Sequence, residues 1–175
     1  MEVKIEKPNI LQILVRPDKT EELYSKCMWL RITFDLDNWS MNCQSDCGNY
    51  SYGWCVEKHR VFLELMAVID KDYLLRKVSD RTIFDLDASK RKVKDWIFMD
   101  EDLTSKEKDK CYEEVDKIEY CNEDNFLLEL KKIKNVSNYY DLWECIEKDY
   151  PTAAKTFVQI FDEIIQPKIK EYLAS

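Results

Sequence analysis

Glycine is almost missing from this chain: 175 residues contain two, Gly48 and Gly53. That excludes the P-loop and the GxGxxG turn, since each needs several backbone positions without a Cβ. Histidine occurs once, as His59, which excludes His-pair catalysis and His-rich zinc sites. No stretch is rich in glycine, proline or serine, so no linker is marked. The expectation is one α+β domain over 1–175, β-rich over about 1–56 and helical over about 57–175. No run approaches the roughly 20 apolar residues of a membrane span, and Met1–Pro8 has no apolar signal core. The expected location is the cytoplasm, with no membrane partner. Bases are outnumbered, 27 against 35 acids, for a net charge of −8. That balance disfavours direct binding of free nucleic acid or an anionic surface.

What is present is a globular core: 45% of residues are apolar and 13% aromatic, enough to fold without disulfide or metal. Seven cysteines, an odd number, read as thiols in a reducing compartment. The Asn-x-Ser matches at Asn38, Asn49 and Asn135 then carry no glycosylation meaning. Cys43, Cys47, Cys55 and His59 form C-x3-C and C-x3-H pairs, a loose match to structural zinc. Strand parity puts Cys43 on the same face as Trp39 and Met41, so these cysteines read as small buried hydrophobes. Neither metal nor cofactor is expected. Cys27, Cys111, Cys121 and Cys145 have no ligand spacing.

Residues 27–54 alternate with period two. Met28, Leu30, Ile32 and Phe34 share one face, then Trp39, Met41 and Cys43, then Tyr50, Tyr52 and Trp54. Turn residues Asp37-Asn38 and Asp46-Cys47-Gly48 separate the runs, which predicts an antiparallel meander with one buried face. Ile10–Val15 reads as a further strand or a short helix. From His59 the period becomes helical. Stripes run through Phe62, Leu65, Met66 and Ile69, through Tyr73, Leu74, Lys77 and Val78, and through Val93, Trp96 and Ile97 after a cap at Asp85 or Asp87. Thr104 and Glu107 form a capping-box signature before Cys111, Tyr112, Val115 and Ile118. Further helices are expected through Phe126–Ile133, through Tyr139, Leu142, Trp143 and Ile146, and from Pro151 onward, with Pro167 kinking or ending the last.

Two features bear on chemistry. Phe34-Asp35-Leu36-Asp37 recurs as Phe84-Asp85-Leu86-Asp87. The first copy resembles the opening motif of haloacid-dehalogenase-type phosphotransferases, which implies a Mg-dependent phosphatase or nuclease using Asp35 and Asp37. The family's small residue two places after the second Asp is Trp39 here, and no βαβ unit surrounds the motif. The competing reading makes Asp35 and Asp37 hairpin residues, with Asp85 and Asp87 at a helix cap. The second feature is charge. Residues 95–124 hold twelve acids and four lysines, a surplus as large as that of the whole chain. An acidic helical face can imitate a phosphate ladder and compete for a basic channel. The candidate contacts are Asp109, Glu113, Glu114, Asp116, Glu119, Glu123 and Asp124.

Ser45-Asp46-Cys47-Gly48-Asn49-Tyr50-Ser51-Tyr52-Gly53-Trp54, Phe62-Leu63-Glu64-Leu65 and Asp72-Tyr73-Leu74-Leu75-Arg76-Lys77-Val78 together resemble small phage and prophage proteins carrying an Asp-x-Gly-Asn-Tyr-Ser-Tyr-x-Trp hairpin. The likeness spans about residues 30–78. A mobile-element origin with an acidic module is similar in outline to anti-CRISPR proteins. The resemblance implies a non-enzymatic inhibitor in the host cytoplasm that binds a type II CRISPR effector nuclease or its guide complex. It would block nucleic-acid binding or cleavage. A phage module with another host partner is the remaining alternative.

Overall fold

The computed structural model describes residues 3–5, 7–56, 58–119 and 122–175; Cys121 and the side chain of His59 lie outside the described residues. The chain divides into two compact units, 1–80 with 150–175 and the intervening 81–149. The fold class is α+β, as the period change at His59 predicts.

The first unit is built on four antiparallel strands in sequential order: β1 (Ile10–Val15), β2 (Leu30–Asp35), β3 (Ser40–Ser45) and β4 (Gly48–Gly53). Ile10–Val15 is thus a strand, with Ile10 opposite Asp35 and Val15 opposite Leu30. Leu30, Ile32, Phe34, Met41, Cys43, Tyr50 and Trp54 are buried on one face. Asn42, Gln44, Asn49 and Ser51 face water on the other. Met28 departs from the expected alternation. It is exposed, because its amide and that of Trp29 donate to Asp46 at 2.9 and 3.2 Å. The ladder therefore begins at Leu30.

The buried face is covered by α1 (His59–Met66), α2 (Lys71–Val78) and the C-terminal helical run. That run comprises α6 (Thr152–Ile160), a π-helical stretch over Phe161–Ile165, and α7 (Gln166–Ala174). Phe34 meets Phe62 and Phe161 edge-on at 6.1 and 6.3 Å, and Tyr50 stacks on Phe157 at 4.4 Å. Pro167 neither ends this helix nor starts a new one. Its ring cannot donate an amide and crowds the preceding turn. The π turn just before it, marked by Gln166 N–H donating to the Phe161 carbonyl, widens the backbone so that the helix continues. The Gln166 side-chain amide donates through Nε2 to the Ile69 carbonyl at 2.6 Å.

The second unit contains α3 (Leu86–Met99), α4 (Ser105–Asp116) and α5 (Glu123–Leu130). Short strands β5 (Ile83–Phe84) and β6 (Lys148–Asp149) pair at its two ends. Val93, Ile97, Cys111, Val115, Phe126, Leu130, Val136 and Cys145 form its core. Asp85 caps α3 through Ala88 N–H at 2.8 Å, and Thr104 with Glu107 completes both halves of a capping box on α4. Where a helix is expected through Tyr139–Ile146, the chain forms a single 3-10 turn, Leu142–Cys145, and another, Val136–Asn138, precedes it. Asn135, Asn138 and Asp141 favour local turns over a continuous helical ladder.

Gly48 is the backbone constraint of the β3–β4 hairpin. Its φ is +120°, and a Cβ there would lie 2.4 Å from the Tyr50 hydroxyl, which itself donates to the Cys47 carbonyl at 2.8 Å. Gly48→Ala is expected to cost about 2 kcal/mol or more. Gly53→Ala should be near neutral, since the nearest atom to its Cβ is 3.9 Å away. Urea unfolding of the two variants, followed by the buried tryptophan fluorescence, checks the contrast.

Candidate interaction surface

The α4 helix seats Cys111 and Val115 in the core and turns Asp109, Glu113 and Asp116 outward at i, i+4 and i+7. This is the outer stripe of an amphipathic helix. The stripe is not uniformly free. Both Asp116 oxygens accept from Lys94 Nζ, at 2.6 and 2.7 Å, and Lys90 donates to the Asp116 carbonyl at 3.1 Å. Asp116 thus ties α4 to α3. Glu123 pairs with Lys148 at 2.9 Å, and Glu114 lies 3.9 Å from Lys110. Glu107 is held below the ordinary carboxylate range, first by the Thr104 hydroxyl and then by its amide. Asp109, Glu113, Glu119 and Asp124 engage no cation among the described residues.

The seven candidate carboxylates therefore fall into three settings. Asp109, Glu113 and Asp116 run along α4. Glu114 and Glu119 line an open groove with Glu129, Lys117, Lys132 and Asn125. Glu123 and Asp124, at the start of α5, line another with Lys92, Lys148, Trp143 and Glu144. Tyr140 and Trp143 are exposed, beside Asp141 and Glu144. The helical period of the sequence predicts Trp143 on a buried stripe instead. The turn residues Asn138 and Asp141 were the available signal that the helix breaks there.

The other candidate groups are occupied structurally. Asp35 accepts from the amides of Asp37 and Asn38, each at 3.0 Å, and from the Asn38 side chain at 2.8 Å. Asp37 accepts from Asn9 N–H at 2.9 Å. The first Phe-Asp-Leu-Asp copy thus closes the β2–β3 turn in an antiparallel sheet, and the second supplies the α3 cap. Cys43 and Cys47 are buried and Cys55 is exposed. Burial, then the neighbouring Cys47, pushes the Cys43 thiol up to about 12, which opposes the thiolate that zinc requires. Among the described residues no group of three or more His, Cys, Asp or Glu is arranged to hold a metal ion.

Residues 3–171 match the model of the Phage_phiTE_072 family, described as a phage family. The chain belongs to that family. Neither the curated proteins nor the solved structures contain a match to it. No helix among the described residues is long and apolar enough to cross a membrane.

Two measurements test these assignments. Asp46 sits at the hairpin rim, and partial burial opposes its charge. The amides of Met28 and Trp29 and the Cys27 thiol outweigh that and hold its pKa below the ordinary carboxylate range. A lowered carboxylate contributes stability above its unfolded pKa and loses it as pH falls through the folded value. Asp46→Asn should therefore destabilise the protein at pH 7, with the difference shrinking toward pH 3 in parallel thermal melts. For the cysteines, prolonged chelation should leave the melting temperature unchanged, and elemental analysis of purified protein should find less than one zinc per chain.

Proposed function

We propose that this phage-family protein is a non-enzymatic inhibitor of the anti-CRISPR kind. It occupies the basic nucleic-acid channel of a type II CRISPR effector nuclease, or of its guide complex, in the host cytoplasm. The observation that carries the reading is the four candidate carboxylates that engage no cation among the described residues: Asp109, Glu113, Glu119 and Asp124, all exposed in the second unit. Glu114, Asp116 and Glu123 stand among them but already have lysine neighbours, so they contribute field more than free contacts. Exposed Tyr140 and Trp143 support a protein partner, since aromatic side chains are enriched at interface cores while carboxylates steer the approach.

The test reverses charges the fold does not use. Asp109→Lys, Glu113→Lys and Glu119→Lys together change residues 95–124 from twelve acids and four lysines to nine and seven. The Lys94–Asp116 pair stays intact. Exposed changes of this kind cost under about 0.5 kcal/mol each, so circular dichroism should be unchanged. Binding to the nuclease should weaken at least about tenfold, mainly through the on-rate. For the unmodified protein the on-rate should fall steeply as salt shortens the screening length to about 8 Å and below. A folded triple variant that still protects DNA fully from cleavage overturns this reading.

A further inference from the structure

The β1 strand forms one edge of the four-stranded sheet and, among the described residues, pairs only with β2. Its sequence, Ile-Leu-Gln-Ile-Leu-Val, contains no charge, proline or glycine. Edge strands are ordinarily protected by lysine, proline, a bulge or a covering element. The opposite edge, β4, begins and ends with glycine and packs on α2 and α6. On β1, Ile10 and Leu14 are about half exposed. The backbone direction is set by one hydrogen bond: Leu36 N–H donates to the Asn9 carbonyl at 2.9 Å. Antiparallel pairs alternate, so Leu11, Ile13 and Val15 bond to β2. The N–H and C=O groups of Ile10, Gln12 and Leu14 face the free edge.

We infer that β1 pairs antiparallel with β1 of a second copy of this chain, Gln12 opposite Gln12, to form a two-fold dimer with a continuous eight-stranded sheet. Three observations choose that occupant and register. First, only outward-facing residues can pair, which restricts the register to steps of two. Centring on Gln12 matches Ile10 with the partner copy's Leu14, and Leu14 with its Ile10, so all three outward residues of each copy are bonded. Sliding two residues one way substitutes Pro8, which has no N–H to give. Sliding the other way carries Ile10 past the strand onto Arg16. Second, side chains opposite each other share a face. The exposed pairs are then Ile with Leu, and the half-buried Leu11 meets Ile13, extending the apolar face of each sheet. Third, the charges complement. Arg31 lies beside Leu14 and Asp35 beside Ile10, so each Leu–Ile pair sits between an arginine of one copy and an aspartate of the other, three strand spacings or roughly 14 Å apart. No like charges face each other along the strand, which matters in a chain of net charge −8.

A single strand pairing is a small interface, below about 1,200 Å², and such contacts are reversible. Sedimentation of the full chain from about 10 µM to 1 mM, a span suited to affinities of that class, should show monomers passing to dimers. Leu14→Lys, at an exposed position, should keep the circular-dichroism spectrum and remain monomeric throughout. The register has its own readout. Gln12→Cys places two Cα atoms about 5.5 Å apart in a bonded pair, within disulfide range, and should cross-link to itself under mild oxidation. Ile10→Cys and Leu14→Cys, each alone, leave like positions about 14 Å apart along the strands and should not, but the two proteins mixed should cross-link to each other. Unmodified protein serves as the control for its native thiols. A monomer at 1 mM, a dimer undiminished in Leu14→Lys, or cross-linking that is equal at all three positions overturns the inference. So does Gln12→Cys that stays uncrosslinked in a sample that sediments as a dimer.

Discussion

Phe34 is the residue on which the first unit closes. It lies on the second strand and touches Phe62 of α1 and Phe161 of the last helical run. Residues 127 positions apart in the chain therefore share one aromatic contact set, which also includes Phe157 against Phe161 and Tyr50. A sheet with one apolar face must bury it, and a single short helix of eight residues does not span four strands. The C-terminal run supplies the remaining cover. Its need to stay helical across the sheet accounts for the π turn before Pro167 and for the buried Gln166 amide spent on the Ile69 carbonyl. Only one face is covered in this way, which leaves a polar outer face and an uncapped first edge.

The carboxylates divide by occupation rather than by position. Asp35, Asp37, Asp46 and Asp85 accept backbone amides at turns and caps. Glu107 completes a capping box, and Asp116 bridges two helices. Each of these would lose local structure if a partner drew it away. Asp109, Glu113 and Glu119 carry no such duty, while Asp124 lies in the first turn of α5, where its charge complements the helix N-terminus. That distinction separates charge left free at the surface from charge already engaged in holding the molecule together.

Local signals in the sequence determined a good deal. Alternation over Leu30–Phe34, Met41–Cys43 and Tyr50–Trp54 set the meander and its buried face, because strand parity admits no intermediate choice. Thr104 with Glu107, and Asp85 before Ala88, marked their helix starts because a cap is decided within four residues. The acidic surplus of residues 95–124 was legible as composition. The tertiary structure decided what depends on residues far apart. Which acids are neutralised rests on Lys94 reaching Asp116 and Lys148 reaching Glu123. The exposure of Trp143 rests on turns breaking a stripe whose spacing alone read as helix. The role of Ile10–Val15 rests on its pairing with β2, since six apolar residues fit a strand and a buried helix equally well. Periodicity records which face of an element is apolar; which distant side chain comes to meet it is settled only when the chain closes on itself.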